Sequence, residues 1–535
     1  MPATKSVFFV CCLCLLASFL FSACADDHHH GEAASQDDDT SPPPADDDTT
    51  VVDDDADDDS IDDDATDDDA IDDDSIDDDS VDDDAVDDDS VDDDTVDDDT
   101  VVDDDSATPE RPWFYDEQNR VVIYHGAEII QETPPYLSWH TAADYDRLVD
   151  WGLNVIRLGI VWEAVEPEQG VYDENFLSQL DERIAWCRER GIGVILELHQ
   201  DVYSKKYAGD GAPDWACLDN GIPFYALQPW FLNYLQPAVM AAFDNFWANT
   251  SGIQDAFIAM WTHLAERYAD EPAVTGYDLF NEPFFGTYLI GFDRRVLTPF
   301  YQKLIASMQT VDPNHLYFAE PTTVAGTGLP CFLTQFDLPH VAYAPHLYPF
   351  LPNILNVYLG NPGEIEHILD GIDWTAGNMK APVWVGEWAL FNAGTINADL
   401  YMQDMTRLLD EHLASWSYWI YNKDGNVGLL DADGNERAWV LDKVSRPYPQ
   451  RTAGFPVNYS FDLDTKHFEM TWNENPPATG PTEIYVPNRH YPNGFTVTCS
   501  DAPGAWSYEW DDARQMLSVT ADRTIASHTL TIEAK

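Results

Sequence analysis

The feature that most constrains the fold of this chain is a regular alternation of short apolar runs with amphipathic segments. Eight of the runs have the length and composition of buried strands. They are residues 121–126, 154–160, 193–198, 274–280, 316–320, 341–346, 383–387 and 416–421. Amphipathic helical segments such as residues 174–190, 257–269 and 400–414 lie between them. Eight β-then-α units predict an α/β fold, a (β/α)8 TIM barrel over residues 109–451.

The alternation ends at Arg446-Pro447-Tyr448-Pro449, where the prolines cannot continue a helix. Four short alternating runs with turn residues between them follow, at residues 482–486, 495–499, 516–520 and 528–532. They predict a small C-terminal antiparallel β-sandwich over residues 452–535. The connection to the barrel is short and holds no flexible linker. We therefore prefer a packed structural cap, with a carbohydrate-binding module as the alternative.

Residues 1–23 have the pattern of a secretory signal peptide, since Lys5 precedes an apolar run from Val7 to Phe21 that is short for a bilayer span. The junction before Cys24 resembles a bacterial lipoprotein cleavage box, which would place acyl chains on that cysteine. Phe21 stands where leucine is usual, so ordinary signal cleavage stays open. We expect an exported protein, held at the outer membrane or cell surface as a lipoprotein or otherwise secreted.

Within residues 24–108 the pattern (Ser/Ala/Thr)-(Ile/Val)-Asp-Asp-Asp recurs from Asp46 to Asp105. So few apolar side chains cannot form a core, and the charges repel each other, which predicts a disordered acidic stalk. Weak calcium binding by the triplets is the alternative function. The formal net charge of the whole chain is −73, of which residues 1–105 carry −41, and the −32 that remains still argues against nucleic-acid binding.

Four cysteines lie beyond the signal segment: Cys187, Cys217, Cys331 and Cys499. An exported compartment permits disulfides, and four cysteines allow three complete pairings. Cys217 and Cys331 fall in predicted loops, where a bond between them is one possibility. Cys187 falls in a predicted helix, where we expect a buried thiol.

Two glutamates end predicted strands in matching contexts. Glu282 follows the fourth strand in an Asn-Glu-Pro triplet, and Glu387 ends the seventh strand in a Gly-Glu-Trp triplet. TIM barrels carry their chemistry at the carboxyl ends of the strands. Two carboxyl groups there suit cleavage of a glycosidic bond, which needs a proton donor and a nucleophile or base. The pair therefore predicts a glycosidase.

Other polar and aromatic residues lie at or near predicted strand ends: Arg157, His199, Asp201, Asn281, His346, Tyr348 and Trp419. Arg157 could orient a catalytic carboxylate, or could form a buried ion pair below the pocket. Tyr348 could hold the nucleophile by a hydrogen bond, and the Asn281 amide could meet a sugar hydroxyl. Trp419 offers a flat face for a sugar ring, with core packing as the alternative. The histidines lack the spacing of metal ligands, so neither a metal nor a cofactor is expected.

The same regions resemble glycoside hydrolase family 5 and, within it, the endoglycoceramidases, which release intact oligosaccharide from ceramide. The matching stretches are residues 160–167, 199–204, 242–247, 278–284, 345–349, 417–419 and 446–451. The resemblance implies that Glu282 is the acid/base and Glu387 the nucleophile of a retaining mechanism. It also implies that the glycan subsites are lined by Asn281, Asp201, His199, Tyr348 and Trp419.

The resemblance breaks near the end of the first barrel strand. Glu128 and Glu132 stand where relatives carry Asn and Lys. A cation is thereby lost from the expected sugar site, so the accepted glycan series stays open.

Two segments next to the predicted site, residues 283–292 and 349–359, are unusually apolar. Exposed apolar rims mark contacts with lipid or protein, although such segments can also fold under as satellite core. We therefore expect a monomeric retaining endo-β-glycosidase that acts on glycosphingolipids and meets the membrane surface through these loops. The alternatives are a family 5 β-glycosidase acting on steryl glucosides or β-glucans, and a non-catalytic carbohydrate-binding surface protein. The presence of both Glu282 and Glu387 argues against the non-catalytic alternative.

Overall fold

A computed structural model describes residues 111–535 of the chain. The predicted signal segment, the acylation site at Cys24 and the whole of the predicted stalk lie outside these residues. The barrel and the C-terminal region lie within them.

The strands up to the end of the barrel begin with a short hairpin, β1 and β2. In chain order they are β1 (Phe114–Tyr115), β2 (Val121–Val122), β3 (His125–Ile129), β4 (Val155–Val161), β5 (Gly193–His199), β6 (Val274–Asp278), β7 (Leu316–Ala319), β8 (Val341–Tyr343), β9 (His346–Leu347), β10 (Trp384–Trp388) and β11 (Ser415–Tyr418). Strands β3 to β11 form one parallel sheet in the order β8-β7-β6-β5-β4-β3-β11-β10-β9. Because β8 and β9 are two parts of one interrupted strand, pairing with β7 and β10 respectively, the sheet closes into an eight-stranded barrel. The predicted TIM barrel is confirmed.

Helices follow the barrel strands and cover the outside of the sheet, as its apolar strands require. They are α1 (Ala142–Asp150), α2 (Trp162–Val165), α3 (Glu174–Arg190), α4 (Pro237–Trp247), α5 (Ile253–Tyr268), α6 (Thr298–Met308), α7 (Phe350–Ile354), α8 (Gly363–Met379), α9 (Ala398–Glu411) and α10 (Ala438–Val444). The predicted helix at residues 174–190 is α3, which Asp173 caps at its start and Gly191 ends with φ of 69°. No helix among residues 111–535 has the length and apolar sequence needed to cross a bilayer.

The C-terminal region forms two antiparallel sheets around a second core. Its strands are β12 (Tyr448–Thr452), β13 (Gly454–Phe461), β14 (Phe468–Glu474), β15 (Thr482–Tyr485), β16 (Phe495–Cys499), β17 (Ser507–Asp511), β18 (Met516–Thr520) and β19 (Ser527–Ala534). One sheet has the order β13-β14-β19-β16 and the other the order β1-β2-β12-β15-β18-β17. The sandwich is confirmed, and it contains strands that the sequence pattern missed.

The predicted first strand, residues 121–126, is wrong as a single element. Val121 and Val122 form β2, which pairs with β12 of the C-terminal sheet, whereas the first barrel strand begins at His125. An apolar run shows burial but not which sheet buries it. The hairpin that precedes the barrel therefore belongs to the C-terminal sandwich.

Hydrogen bonds fix the sandwich to the barrel at the turn after α1. The Tyr448 hydroxyl donates to the Gly152 carbonyl at 2.7 Å, and the Tyr485 hydroxyl donates to the Asp150 carbonyl at 2.7 Å. Gly152 has φ of 77°, and a Cβ there would lie 2.3 Å from the Tyr485 ring. This close approach favours the packed-cap interpretation.

The four cysteines are unpaired, so the disulfide considered for Cys217 and Cys331 is wrong. Each of these two sulfurs has a local partner instead. Cys217 Sγ donates to the Pro213 carbonyl at 3.4 Å, and Cys331 Sγ accepts the Leu333 N–H at 3.4 Å. Cys187 is fully buried in α3, as expected.

His125 lies between the two domains in an apolar stack. Its ring is buried, with ring centroids 4.2 Å from Trp416 and 3.6 Å from Tyr448. Neither ring nitrogen has a hydrogen-bond partner within the described part of the chain. Burial, with a smaller contribution from the charge of Arg446, lowers the pKa of His125 well below its usual value.

We predict that His125→Phe protects the protein against acid. The folded state holds the imidazole neutral while the unfolded chain protonates it below about pH 6.5, so the wild type loses stability as the pH falls. Between about pH 7.5 and about pH 5 the loss from this residue should be about 2 kcal/mol. The measurement is the free energy of unfolding by denaturant at both pH values. His367→Gln, at an exposed histidine, is the control, and an equal pH effect in all three proteins would contradict the assignment.

Candidate active site

A pocket opens at the carboxyl ends of the barrel strands, where the sequence predicted the site. Eight of the nine predicted site residues line it: His199, Asp201, Asn281, Glu282, His346, Tyr348, Glu387 and Trp419. The ninth, Arg157, is fully buried beneath the pocket in β4. The structure therefore brings together residues from five barrel strands and the segments that follow them.

The two glutamates face each other across the floor of this pocket. One carboxyl oxygen of Glu282 and one of Glu387 lie within 4.8 Å of each other. Retaining glycosidases hold their carboxyl groups about 5–5.5 Å apart, whereas inverting enzymes need about 6.5–9.5 Å to admit a water molecule. A separation this short is below the inverting range and favours the retaining arrangement.

Glu282 is held in an uncommon backbone conformation, with φ of 45°. Its backbone N–H donates to Glu320 Oε2 at 2.7 Å, and its Oε1 lies 2.9 Å from His346 Nδ1. Burial raises the pKa of Glu282, and the charges of Glu387 and Glu320 add to this effect while His346 opposes it. A carboxyl group in this position is suited to keep a proton and donate it.

Glu387 is held by two donors on its two oxygens. Arg157 Nη1 donates to Oε1 at 2.7 Å, and the Tyr348 hydroxyl donates to Oε2 at 2.8 Å. A charge-assisted bond and a second bond on the other oxygen fix the carboxylate plane. The predicted hydrogen bond from Tyr348 is thus present in the structure.

Arg157 contacts five carboxyl groups in the floor of the pocket. The shortest nitrogen-to-oxygen distances are 2.9 Å to Glu128, 3.4 Å to Glu197, 2.8 Å to Asp278, 2.7 Å to Glu320 and 2.7 Å to Glu387. One guanidinium cannot balance five buried anions. Burial raises the pKa values of Glu128 and Asp278 well above the usual range even though Arg157 opposes this shift. Both interpretations of Arg157 therefore hold, since it orients Glu387 and also forms buried ion pairs.

Glu197, Asp278 and Glu320 were not among the predicted site residues. Each lies at or near the end of a barrel strand: Glu197 in β5, Asp278 at the end of β6 and Glu320 directly after β7. The available signal was an acidic residue inside an apolar run, because such a residue needs a buried partner. The sequence did not show that all three share the same partner.

The remaining predicted residues form one wall of the pocket. His199 Nδ1 lies 3.1 Å from Glu197 Oε1, and its ring lies nearly parallel to that of Trp419 at a centroid distance of 5.5 Å. Asn281 accepts from Arg157 Nη2 at 3.1 Å and donates to the Gln200 carbonyl at 3.1 Å. The Asn281 amide nitrogen retains one further hydrogen for a substrate oxygen.

Glu128 does not line the sugar site, which corrects its expected place there. It is buried inside β3 against Arg157. Glu132 is half-buried further along the chain, and its charge contributes, after burial, to the raised pKa of Asp201 and of Asp210, the latter to about 8. This wall of the pocket is therefore acidic.

Comparisons with known proteins agree with this geometry. The family "Cellulase (glycosyl hydrolase family 5)" matches residues 122–425, and the "Glycoside hydrolase family 5 C-terminal domain" matches residues 446–533. Endoglycoceramidase I of Rhodococcus hoagii (strain 103S) is 32% identical over 420 residues, which are 73% of this chain and 82% of that protein.

Two solved structures of endoglycoceramidase II from a Rhodococcus species are also similar. The complex with ganglioside GM3 has a TM-score of 0.72 at 30% identity and covers 79% of this chain and 100% of that chain. The lactosyl-enzyme intermediate has a TM-score of 0.71 at 31% identity and covers 79% and 99% of the two chains.

Proposed function

This chain belongs to glycoside hydrolase family 5, and we propose that it hydrolyses the linkage between oligosaccharide and ceramide in glycosphingolipids. The observation that carries the proposal is a pocket with two glutamates at retaining distance beneath a rim of exposed aliphatic side chains. The similarity to endoglycoceramidases over most of the chain supports the same substrate class.

The proposed mechanism is a double displacement at the anomeric carbon. Glu387 attacks that carbon and forms a glycosyl ester while Glu282 gives its proton to the departing ceramide oxygen. Glu282 then takes a proton from water, and the resulting attack releases the sugar and frees Glu387. The raised pKa of Glu282 and the two donors on Glu387 support this division of roles.

The rim is built by the two apolar loops that follow Glu282 and Tyr348. Three aromatic side chains of the first loop, Phe284, Phe285 and Phe292, are buried, whereas Tyr288 is exposed; Ile354 and Tyr358 of the second loop are buried. These residues confirm the satellite-core interpretation for part of each loop. The second loop also reaches the pocket directly, since Asn353 and Ile354 line it.

Four aliphatic residues of the same loops remain exposed: Leu289, Ile290, Leu355 and Leu359, with exposed fractions of 43%, 78%, 54% and 71%. Surface aliphatic groups anchored beside a pocket suit an apolar ligand. The two hydrocarbon chains of ceramide supply such a ligand at the point where the scissile bond enters the pocket. We propose that this rim receives the ceramide and meets the membrane surface.

The proposal predicts that the protein releases intact oligosaccharide and ceramide from a mixed panel of lipid-linked and free glycans. Mass spectrometry identifies the products, and proton NMR of the fresh sugar should show the β anomer first because the carboxyl spacing predicts retention. Cleavage confined to free β-glucans or to steryl glucosides would refute the substrate assignment. An initial α anomer would refute the mechanism.

Replacing the four exposed aliphatic residues of the rim with Ser should raise KM for a ceramide-linked substrate. Full burial of one such side chain is worth about 1.5–3 kcal/mol, so partial contact by four should change KM by at least about tenfold. Activity on a soluble aryl glycoside should change little. As a matched control, Val457→Ser removes an exposed aliphatic group from the C-terminal sandwich. An equal loss on both substrates would show that the rim residues support the fold instead.

We also propose that the enzyme is exported as a monomer and is anchored by acyl chains on Cys24. The apolar run before this cysteine and the lipoprotein-like junction support anchoring, and the acidic segment after it would separate the catalytic domain from the membrane. In cells of the source organism, Cys24→Ser should move the enzyme from the membrane fraction to the medium. Retention of the variant in the membrane fraction would refute anchoring at this residue.

A further inference from the structure

Glu320 lies directly after β7 and is buried below the pocket, outside the residues that line it. Its Oε1 accepts Arg157 Nη2 at 2.7 Å. Its Oε2 accepts the backbone N–H of Glu282 at 2.7 Å and lies 3.4 Å from His346 Nε2. One carboxyl group thus contacts the main chain of Glu282 and the imidazole that contacts the Glu282 side chain.

The backbone of Glu282 needs such a support. A φ of 45° lies in the left-handed region, which side chains with a Cβ rarely adopt unless the surroundings impose it. The bond from the Glu282 N–H to Glu320 fixes this conformation. The Glu282 side chain is reached through His346, whose Nδ1 lies beside the Glu282 carboxyl group and whose Nε2 faces Glu320. Glu320 therefore bonds the main chain of Glu282 and approaches, at ion-pair distance, the imidazole that contacts the Glu282 side chain.

The negative charge of Glu320 also favours Glu282 as a proton donor. Burial alone would favour its neutral form, but His346, Arg157 and the Glu282 N–H together lower the pKa of Glu320 below its usual value. An anion at this position disfavours a second anion at Glu282 and so helps Glu282 to retain its proton.

We propose that Glu320 is a positioning residue for proton transfer, acting through Glu282 and not on the substrate. It holds the Glu282 backbone in the left-handed conformation, orients His346 and keeps the Glu282 carboxyl directed at the leaving oxygen. The inference rests on the proposed role of Glu282 as proton donor.

Glu320 also contacts Arg157, which holds Glu387, so its effect on Glu282 must be separated from an effect on the nucleophile. Asp278 provides the matched control. It is fully buried and accepts Arg157 Nε at 2.8 Å. Within residues 111–535 its side chain bonds neither Glu282 nor His346. Asp278→Ala therefore removes an acceptor from Arg157 and leaves the hydrogen bond from Glu282 to Glu320 in place.

The test compares kcat/KM, which reports the glycosylation step, for two aryl β-lactosides. Phenyl lactoside needs a proton on its leaving oxygen, whereas dinitrophenyl lactoside does not. Glu320→Gln should lower kcat/KM for the phenyl substrate by about 100-fold, as a misplaced general acid does, and for the dinitrophenyl substrate by less than about fivefold. Asp278→Ala should lower both values by the same factor. Glu282→Gln marks the full pattern expected when the proton donor is lost.

The pH dependence gives a second readout that a merely structural role would not change. The alkaline limb of kcat/KM reports the proton donor in the free enzyme. Removing the anion at position 320 stabilises ionised Glu282, so this limb should move to lower pH in Glu320→Gln and stay in place in Asp278→Ala. If Glu320→Gln does not fold, as judged by thermal melting, Glu320→Asp keeps the charge, loses the reach and should show the same preference for the activated leaving group.

Equal losses on both aryl substrates in Glu320→Gln, with an unmoved alkaline limb, would overturn the proposal and leave Glu320 as one more support of Arg157. If Glu282→Gln itself shows no dependence on the leaving group, the assignment of the acid falls and this proposal falls with it. A wild-type enzyme that cleaves the aryl lactosides but no glycosphingolipid would refute the substrate proposal alone.

Discussion

The floor of the barrel depends on the contacts between the Arg157 guanidinium and the buried carboxyl groups around it. It sits in β4 and contacts carboxyl groups from β3, β5, β6 and β10 and from the residue after β7. Removing one partner from a buried ion pair commonly costs about 3–5 kcal/mol, and here one side chain joins five groups. Arg157 therefore orients Glu387 and also joins the barrel strands through polar contacts.

The different surroundings of the two glutamates follow from this arrangement. Glu387 meets the guanidinium directly, whereas Glu282 lies beyond it and faces His346 and the carboxylates of Glu320 and Glu387. Glu282 and Glu387 have the same side chain but lie in different surroundings. Glycosidases give their two carboxyl groups different surroundings, which separate the two pKa values. One group can then act as the acid and the other as the nucleophile.

The carboxyl-rich wall of the pocket and its aliphatic rim suit different parts of a glycolipid. Burial, with like charges nearby, raises the pKa values of Asp201 and Asp210 and so favours their neutral, hydrogen-bonding forms. The exposed aliphatic groups lie on loops whose buried aromatic residues hold them in place. Such a division suits a substrate with a polar head and an apolar tail.

The sequence by itself determined the barrel, the C-terminal sandwich and the position of both glutamates, because strand periodicity and strand-end acids are local patterns. It did not reveal that β2 pairs with β12, that Cys217 and Cys331 stay unpaired, or that Glu320 reaches Glu282. Those facts depend on contacts between residues far apart in the chain. An apolar run or a lone acid shows that a residue needs a buried partner, but closure of the barrel decides which partner it meets.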